Sequence, residues 1–278
     1  MKKLLSLGLA LGVLGLILGC TPQDVPPATT PIVTTNAVTT EPTTEPTTEP
    51  TTEATTEATT EPTTVPTTLP EHSDLYLPYL SVEDVIRYFN EVCLDAEFVN
   101  AGDPTRLQKW VVPIRYYING TYTEEDKATL DSLVSWLNHI EGFPGMHIVE
   151  DPLLAGLNIH FCGPEEYLTL MGDQFYGTDG GVTFWYNGAN QIYDAVIGYR
   201  TDLDQQVRNS VILEEIYNGL GPINDTWERM TSVIYGGYSI PQWLSEEDQL
   251  IMKLLYHPMM ECGMDAAQCE AVIRQLYY

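Results

Sequence analysis

"VILEEIYNGLGPIND", Val211 to Asp225, decides how this chain is read. Leu213, Ile216, Tyr217 and Leu220 recur at helical spacing and form one apolar face that packs a helix onto a sheet. Gly221-Pro222 then ends that helix, because glycine admits the turn and proline cannot continue the hydrogen-bond ladder. The polar side carries Glu214, Glu215 and Asn218. Residues four apart stack on one face, so Glu214 and Asn218 sit one above the other. That is how a helix presents two ligands to one metal ion, yet the stretch holds neither histidine nor cysteine.

Outward from this helix, periodicity gives a mixed domain. "SVEDVIRYFNEVCLDAEF" reads as a helix capped by Ser81, with Val85, Ile86, Phe89 and Val92 on one side. "WVVPIRYYING" alternates and reads as a strand. Thr123 opens a helix over "EEDKATLDSLVSWLNHIEGF", with Leu130, Leu133, Val134, Leu137 and Ile140 as its stripe. "LNIHFC", "GGVTFWY" and "QIYDAVIGYR" read as strands, the last two joined across "NGAN". Helix returns from Asp204 to Leu220, and two further helices start at Ser245 with Asp248 and at Asp265 with Gln268, both capping boxes. This order predicts a single α/β (α+β) domain with a mixed sheet, a central helix and C-terminal helices.

The spacing of the central helix is similar to that of the zincins. Their zinc helix carries H-E-x-x-H, where two imidazoles hold the ion and the glutamate takes a proton from bound water. In metzincins a turn glycine follows three residues later and a third ligand three beyond it. In that register Glu214 and Asn218 fall on the first two ligand positions and Glu215 on the general base. Gly221 falls on the turn and Asn224 on the third ligand. Downstream, "SVIYGGYSIPQWLSEEDQLIMKLLYHP" resembles the end of a matrix-metalloproteinase-type domain, where a turn S-x-M-Y-P-x-Y precedes a helix L-S-x-x-D-x-x-x-I-x-x-L-Y. Ser232, Tyr235 and Tyr238 keep their places, Ile234 stands where the methionine would be, and Leu244, Ser245, Asp248, Leu255 and Tyr256 follow the helix pattern. From about Leu107 to Tyr278 the chain resembles domain-of-unknown-function family 2927, a bacterial family with a zincin-like fold. The resemblance implies E-E-x-x-Q/N-x-x-G-x-x-N-D in place of a zinc motif, a helix end like "LLYHP" and a following Gly263-Met264.

These departures set the expected chemistry. A neutral amide is a feeble zinc ligand, and one carboxylate does not replace three imidazoles. Without zinc no water is acidified, and Glu215 is a vestigial base. The reading is therefore a non-catalytic, pseudo-metallopeptidase domain with a binding or structural role, no metal site and no zinc cofactor. Glu214 and Asn218 are then expected to bond to each other or to backbone. Calcium is the hard-ion alternative for Glu214, Asn218, Asn224 and Asp225. A hydrolase using an altered site around Glu215 is the rival reading. "GTDGGVTFWYNG" does not join a strand to a helix, so it reads as a turn into an edge strand rather than a phosphate loop. Phe184, Trp185 and Tyr186, if exposed there, would mark a strand that binds an extracellular peptide or protein.

The N-terminus addresses location. "MKKLLSLGLALGVLGLILGC" has two lysines, an apolar run too short to span a bilayer comfortably, and a cysteine after a small residue. It resembles a bacterial lipoprotein signal: residues 1–19 form the leader and Cys20 receives lipid. That implies anchoring on the extracytoplasmic face of the cell membrane. Residues 20–73 are a Thr/Pro/Glu-rich linker with a four-residue repeat and too few apolar groups to fold. At about 3.1 Å per residue, it reaches on the order of 150 Å when extended. Residues 74–278 form the globular part. Formal net charge is -27, which repels nucleic-acid phosphates, so no nucleic acid is expected. Solubility explains the acidity, and a cationic partner is the sharper alternative.

Four cysteines remain, Cys93, Cys162, Cys262 and Cys269, an even count that permits disulfides in an exported domain. The spacing of "CGMDAAQC" favours Cys262–Cys269, leaving Cys93–Cys162. His160 and Cys162 share a strand face, a weak basis for a Cys/His nucleophile. His72 lies in the linker, and His139, His147 and His257 stand alone.

Overall fold

The computed structural model describes residues 74–94 and 105–278. The leader, Cys20 and the whole linker lie outside the described residues. Six helices and six strands are present among those described. Helix α1 spans Val82–Cys93 and is capped by Ser81, whose side chain accepts from Asp84 N. Its whole expected stripe, Val85, Ile86, Phe89 and Val92, is buried.

The strand expected over Trp110–Gly120 is two strands. β1 is Lys109–Trp110 and β2 is Ile114–Gly120. Pro113 lies between them without an N–H to donate, and the two pair with different partners. Helix α2, Glu124–Leu137, has the capping box on Thr123 and Asp126. It stops six residues earlier than periodicity suggests, because the Asn138 side chain turns to bond both backbone groups of Met146. Two elements have no strong periodic signal: strand β3, Met146–Ile148, and helix α3, Pro164–Met171. Strands β4 (Leu157–Cys162), β5 (Gly180–Tyr186) and β6 (Gln191–Arg200) match the alternating segments residue for residue. Helices α4 (Gln205–Gly219), α5 (Glu246–Tyr256) and α6 (Ala266–Leu276) follow, the last two with capping boxes.

The sheet runs β1-β6-β4-β2-β3, all parallel, with β5 antiparallel to β6. One face packs on the helices: Leu157, Ile159 and Phe161 of β4 and Ala195, Ile197 and Tyr199 of β6 join the main core with Leu130, Leu133, Ile212, Leu213 and Ile216. The opposite face carries a smaller cluster under α3, of Cys162, Tyr167, Met171 and Phe175. Alternation along β4 and β6 divides these faces. β5 therefore forms an edge, with α4 lying beside it and under β6. No helix among the described residues is long and apolar enough to cross a membrane.

Candidate functional site

The end of α4 is closed by side chains from β1 and α5. Trp110 Nε1 donates to Gly219 O at 2.9 Å, and Tyr256 OH to Leu220 O at 2.8 Å, filling carbonyls that a helix terminus leaves open. Gly221 has φ +135°, and a Cβ there would lie 2.6 Å from Gln108 O. Only glycine makes this turn against that backbone. The chain then fastens to the end of α1. Ile223 N donates to Val92 O at 2.7 Å, and Asn224 Nδ2 donates to Glu91 O at 3.0 Å. The side chain at the third ligand position is thus engaged by the carboxyl end of α1.

The other motif positions sit as the register requires but in altered surroundings. Leu213, Ile216, Tyr217 and Leu220 are all buried. Glu215 is 1% exposed and lies against the start of β5: a Cβ on Gly180 would meet Glu215 Cγ and Oε1 at 3.1 Å and Val211 Cγ1 at 2.4 Å. Gly180 is what lets the strand approach the helix so closely. Burial, with the Glu215 carboxylate adding to it, pushes the Tyr199 and Tyr167 hydroxyls up. Tyr167 OH and Thr178 Oγ1 bond at 2.6 Å beside this corner. Glu214 and Asn218 are half-buried. Asn218 Oδ1 is buried and accepts no hydrogen bond.

These residues do not fit zinc. The register supplies one carboxylate and one amide from α4, and the amide at the third position donates to Glu91 O of α1. Among the described residues, no three His, Cys, Asp or Glu side chains group to hold a metal ion. Glu215, at the general-base position, is buried against the start of β5.

The downstream turn is intact. Asp248, fully buried, accepts from Ser232 Oγ at 2.6 Å, Tyr88 OH at 2.8 Å, Val233 N at 3.1 Å and Ser245 N at 3.0 Å. The Asp248 carbonyl takes Tyr217 OH at 2.9 Å, tying the turn to α4. Ile234, at the methionine position, is 0% exposed, and Ile234 O accepts from Thr226 N at 2.9 Å. The serine and aspartate matched in the sequence are therefore direct partners.

Sequence reasoning missed a second polar cluster, at the start of α4. Asp126 of the α2 capping box is fully buried. It pairs with Arg208 and accepts from Gln205 Nε2 at 2.7 Å. Asn209 Nδ2 reaches Glu125 Oε1 at 2.8 Å and Gln242 Oε1 at 3.1 Å. The signal available was Gln205, Arg208 and Asn209 at i, i+3 and i+4.

Several expectations are corrected. Phe184 is 7% exposed and faces the core, whereas Tyr186 is exposed, because a register shift between Trp185 and Tyr186 breaks the alternation there. His160 and Cys162, a weak basis for a nucleophile from the start, are engaged otherwise: Asn119 Nδ2 bonds His160 Nδ1 at 3.2 Å, and burial pushes the Cys162 thiol up to about 11. All four described cysteines are free thiols. Cys93 and Cys162 lie in different core clusters, so the sheet separates that pair. Cys262 Sγ points to Lys109 O at 3.6 Å, not to Cys269.

The described residues form a mixed α/β domain: a sheet with one antiparallel edge, a central helix beside that edge and C-terminal helices beyond a glycine turn. Within that class, the model of the family described as "Protein of unknown function (DUF2927)" matches residues 82–275, and the chain belongs to that family. No curated protein matches the chain. Among solved structures, two of myroilysin match, at 14% and 13% identity. These cover 51% and 62% of this chain and 58% and 72% of theirs, with TM-scores of 0.28 and 0.27. The chain thus spans under two thirds of the first of them.

Proposed function

We propose that this protein is a lipid-anchored, extracytoplasmic binding protein whose zincin-like domain takes an extended, basic peptide along the outer edge of β5 without cleaving it. The observation that carries this reading is the corner between α4 and β5. The carboxylate in the general-base position is buried against Gly180, while the outer edge of β5 has no strand partner among the described residues. Such an edge pairs with an extended peptide through main-chain hydrogen bonds, and alternate side chains provide selectivity. Thr183 and Trp185, half-buried, and exposed Tyr186 supply the adjoining side chains. The acidic composition favours a basic ligand and faster association with it. The leader and linker support presentation at the outer surface, with the lipid on Cys20 as the membrane contact.

The test is hydrogen exchange of the full chain with short synthetic peptides of graded charge. Basic peptides are expected to bind, to weaken with salt, and to slow exchange at Gly180–Tyr186. Binding that leaves those amides unchanged would refute the site. Cleavage abolished by Glu215→Gln would instead establish the hydrolase. Fatty-acid labelling lost in Cys20→Ser tests the anchor separately.

A further inference from the structure

We infer that Asp194, with Trp185 beside it, sets which ligand the β5 edge accepts: the added peptide lays an arginine or lysine side chain across Trp185 onto the Asp194 carboxylate. The inference rests on the edge-binding reading above and names its specificity. Trp185 and Asp194 are direct partners in the antiparallel pairing of β5 with β6. Such cross-strand neighbours share a face of the sheet, with Cβ atoms about 5 Å apart. Phe184 and Ala195, the next residues of each strand, are buried in the main core with α4. Trp185 and Asp194 are therefore on the face turned away from α4.

Helix α3 covers only part of that face. A Cβ on Gly181 would meet Phe175 and Tyr167, and one on Gly198 would meet Met171 and Tyr167. Trp185 and Asp194 lie further along the same strands and are half-buried. A bulge aims the carboxylate. Asp194 pairs with Trp185 and Ile192 with Tyr186, so β6 carries an extra residue there. Ile192 and Ala195 are both buried, and Tyr193 and Asp194 between them turn off the core.

The protein supplies no cation to this carboxylate. Asp194 enters no ion pair among the described residues. Arg115 shares the face, since Ile114 and Tyr116 are in the core, but it lies two strands away across β4. Every other described lysine or arginine already bonds a carboxylate, or carbonyls in the case of Lys109. Burial raises the Asp194 carboxyl, with the Ala195 N–H acting against it. A cation brought by the ligand offsets that desolvation.

Reach decides the chemistry. A strand on the outer edge of β5 lies two strand spacings from β6, roughly 10 Å. An arginine or lysine side chain and the aspartate span that gap together, with the stem lying on the indole. A short cation does not. The charge also fixes which ligand residue stops beside Trp185, a register that main-chain pairing alone leaves loose.

The test measures the affinity of the full chain for three synthetic peptides that differ at one central residue: arginine, its neutral isostere citrulline, or a guanidinium on a single methylene. Hydrogen exchange at Gly180–Tyr186 reports whether each peptide lies on the edge. The arginine peptide is expected to bind about tenfold tighter than the other two. Asp194→Asn should erase that preference while the edge amides stay protected and the melting temperature holds. Equal binding of the three peptides to wild type, or an arginine preference that survives Asp194→Asn, would overturn the inference and leave edge binding standing. No protection of Gly180–Tyr186 by any peptide would overturn edge binding, and this inference with it.

Discussion

The turn around Ser232–Asp248 and the polar face of α4 carry the zincin resemblance in opposite ways. In the turn, Ser232 is bonded directly to Asp248, and Asp248 gathers four donors from α1, the turn and its own helix cap. On α4, the positions that a metal would hold together carry Glu214, Asn218 and Asn224, and Asn224 is bonded to α1. What the protein satisfies internally follows the zincin pattern, and the positions a metal would satisfy carry other residues. Scaffold and metal face are thus separable parts of one motif.

The comparison breaks first at Asp248. Asp248→Ala orphans four donors in the core and is expected to cost on the order of 4 kcal/mol in urea unfolding; a loss near zero would show that the turn is not held as described.

Lys109 tests the support beneath α4 by pH. Buried, and donating to the Leu255 and Met260 carbonyls, its amine is pushed down to about 8. Between that value and the ordinary lysine range the unfolded chain binds more protons. Stability should therefore rise with pH across that window, by as much as about 3 kcal/mol. Lys109→Met should remove this rise, read as the difference in urea midpoints from wild type.

Gly221→Ala places a Cβ against Gln108 O at a positive φ, and a loss of about 2 kcal/mol is expected. The smallest effect sharpens the contrast: Ile234→Met places the methionine of the metalloproteinase-type turn in a closed core, and thermal unfolding should register a change of about 1 kcal/mol or less.

Much of the fold was legible because local signals agreed with packing. β4, β5 and β6 alternate cleanly, and α5 and α6 announce themselves through Ser245/Asp248 and Asp265/Gln268. The break at Pro113 was hidden by alternation on both sides, and β3, three residues long, offers too short a pattern to register. In the site, the register of Glu214, Glu215, Asn218 and Gly221 was readable from spacing. The engagement of Asn224 by Glu91, the burial of Glu215 against Gly180 and the neighbours of each cysteine were not. Each depends on residues far apart in sequence meeting in the core, which periodicity does not report.

The central claim is that the α4 face is not a zinc site, and metal analysis tests it most directly. The full chain, purified without chelator, is equilibrated with zinc, dialysed and measured for bound metal beside a Glu214→His/Asn218→His variant. Wild type is expected to retain no stoichiometric zinc, and the variant only a weakly held ion, because two imidazoles fall short of the three-ligand set. One tightly held zinc per wild-type chain, lost on Glu214→Ala, would contradict the account.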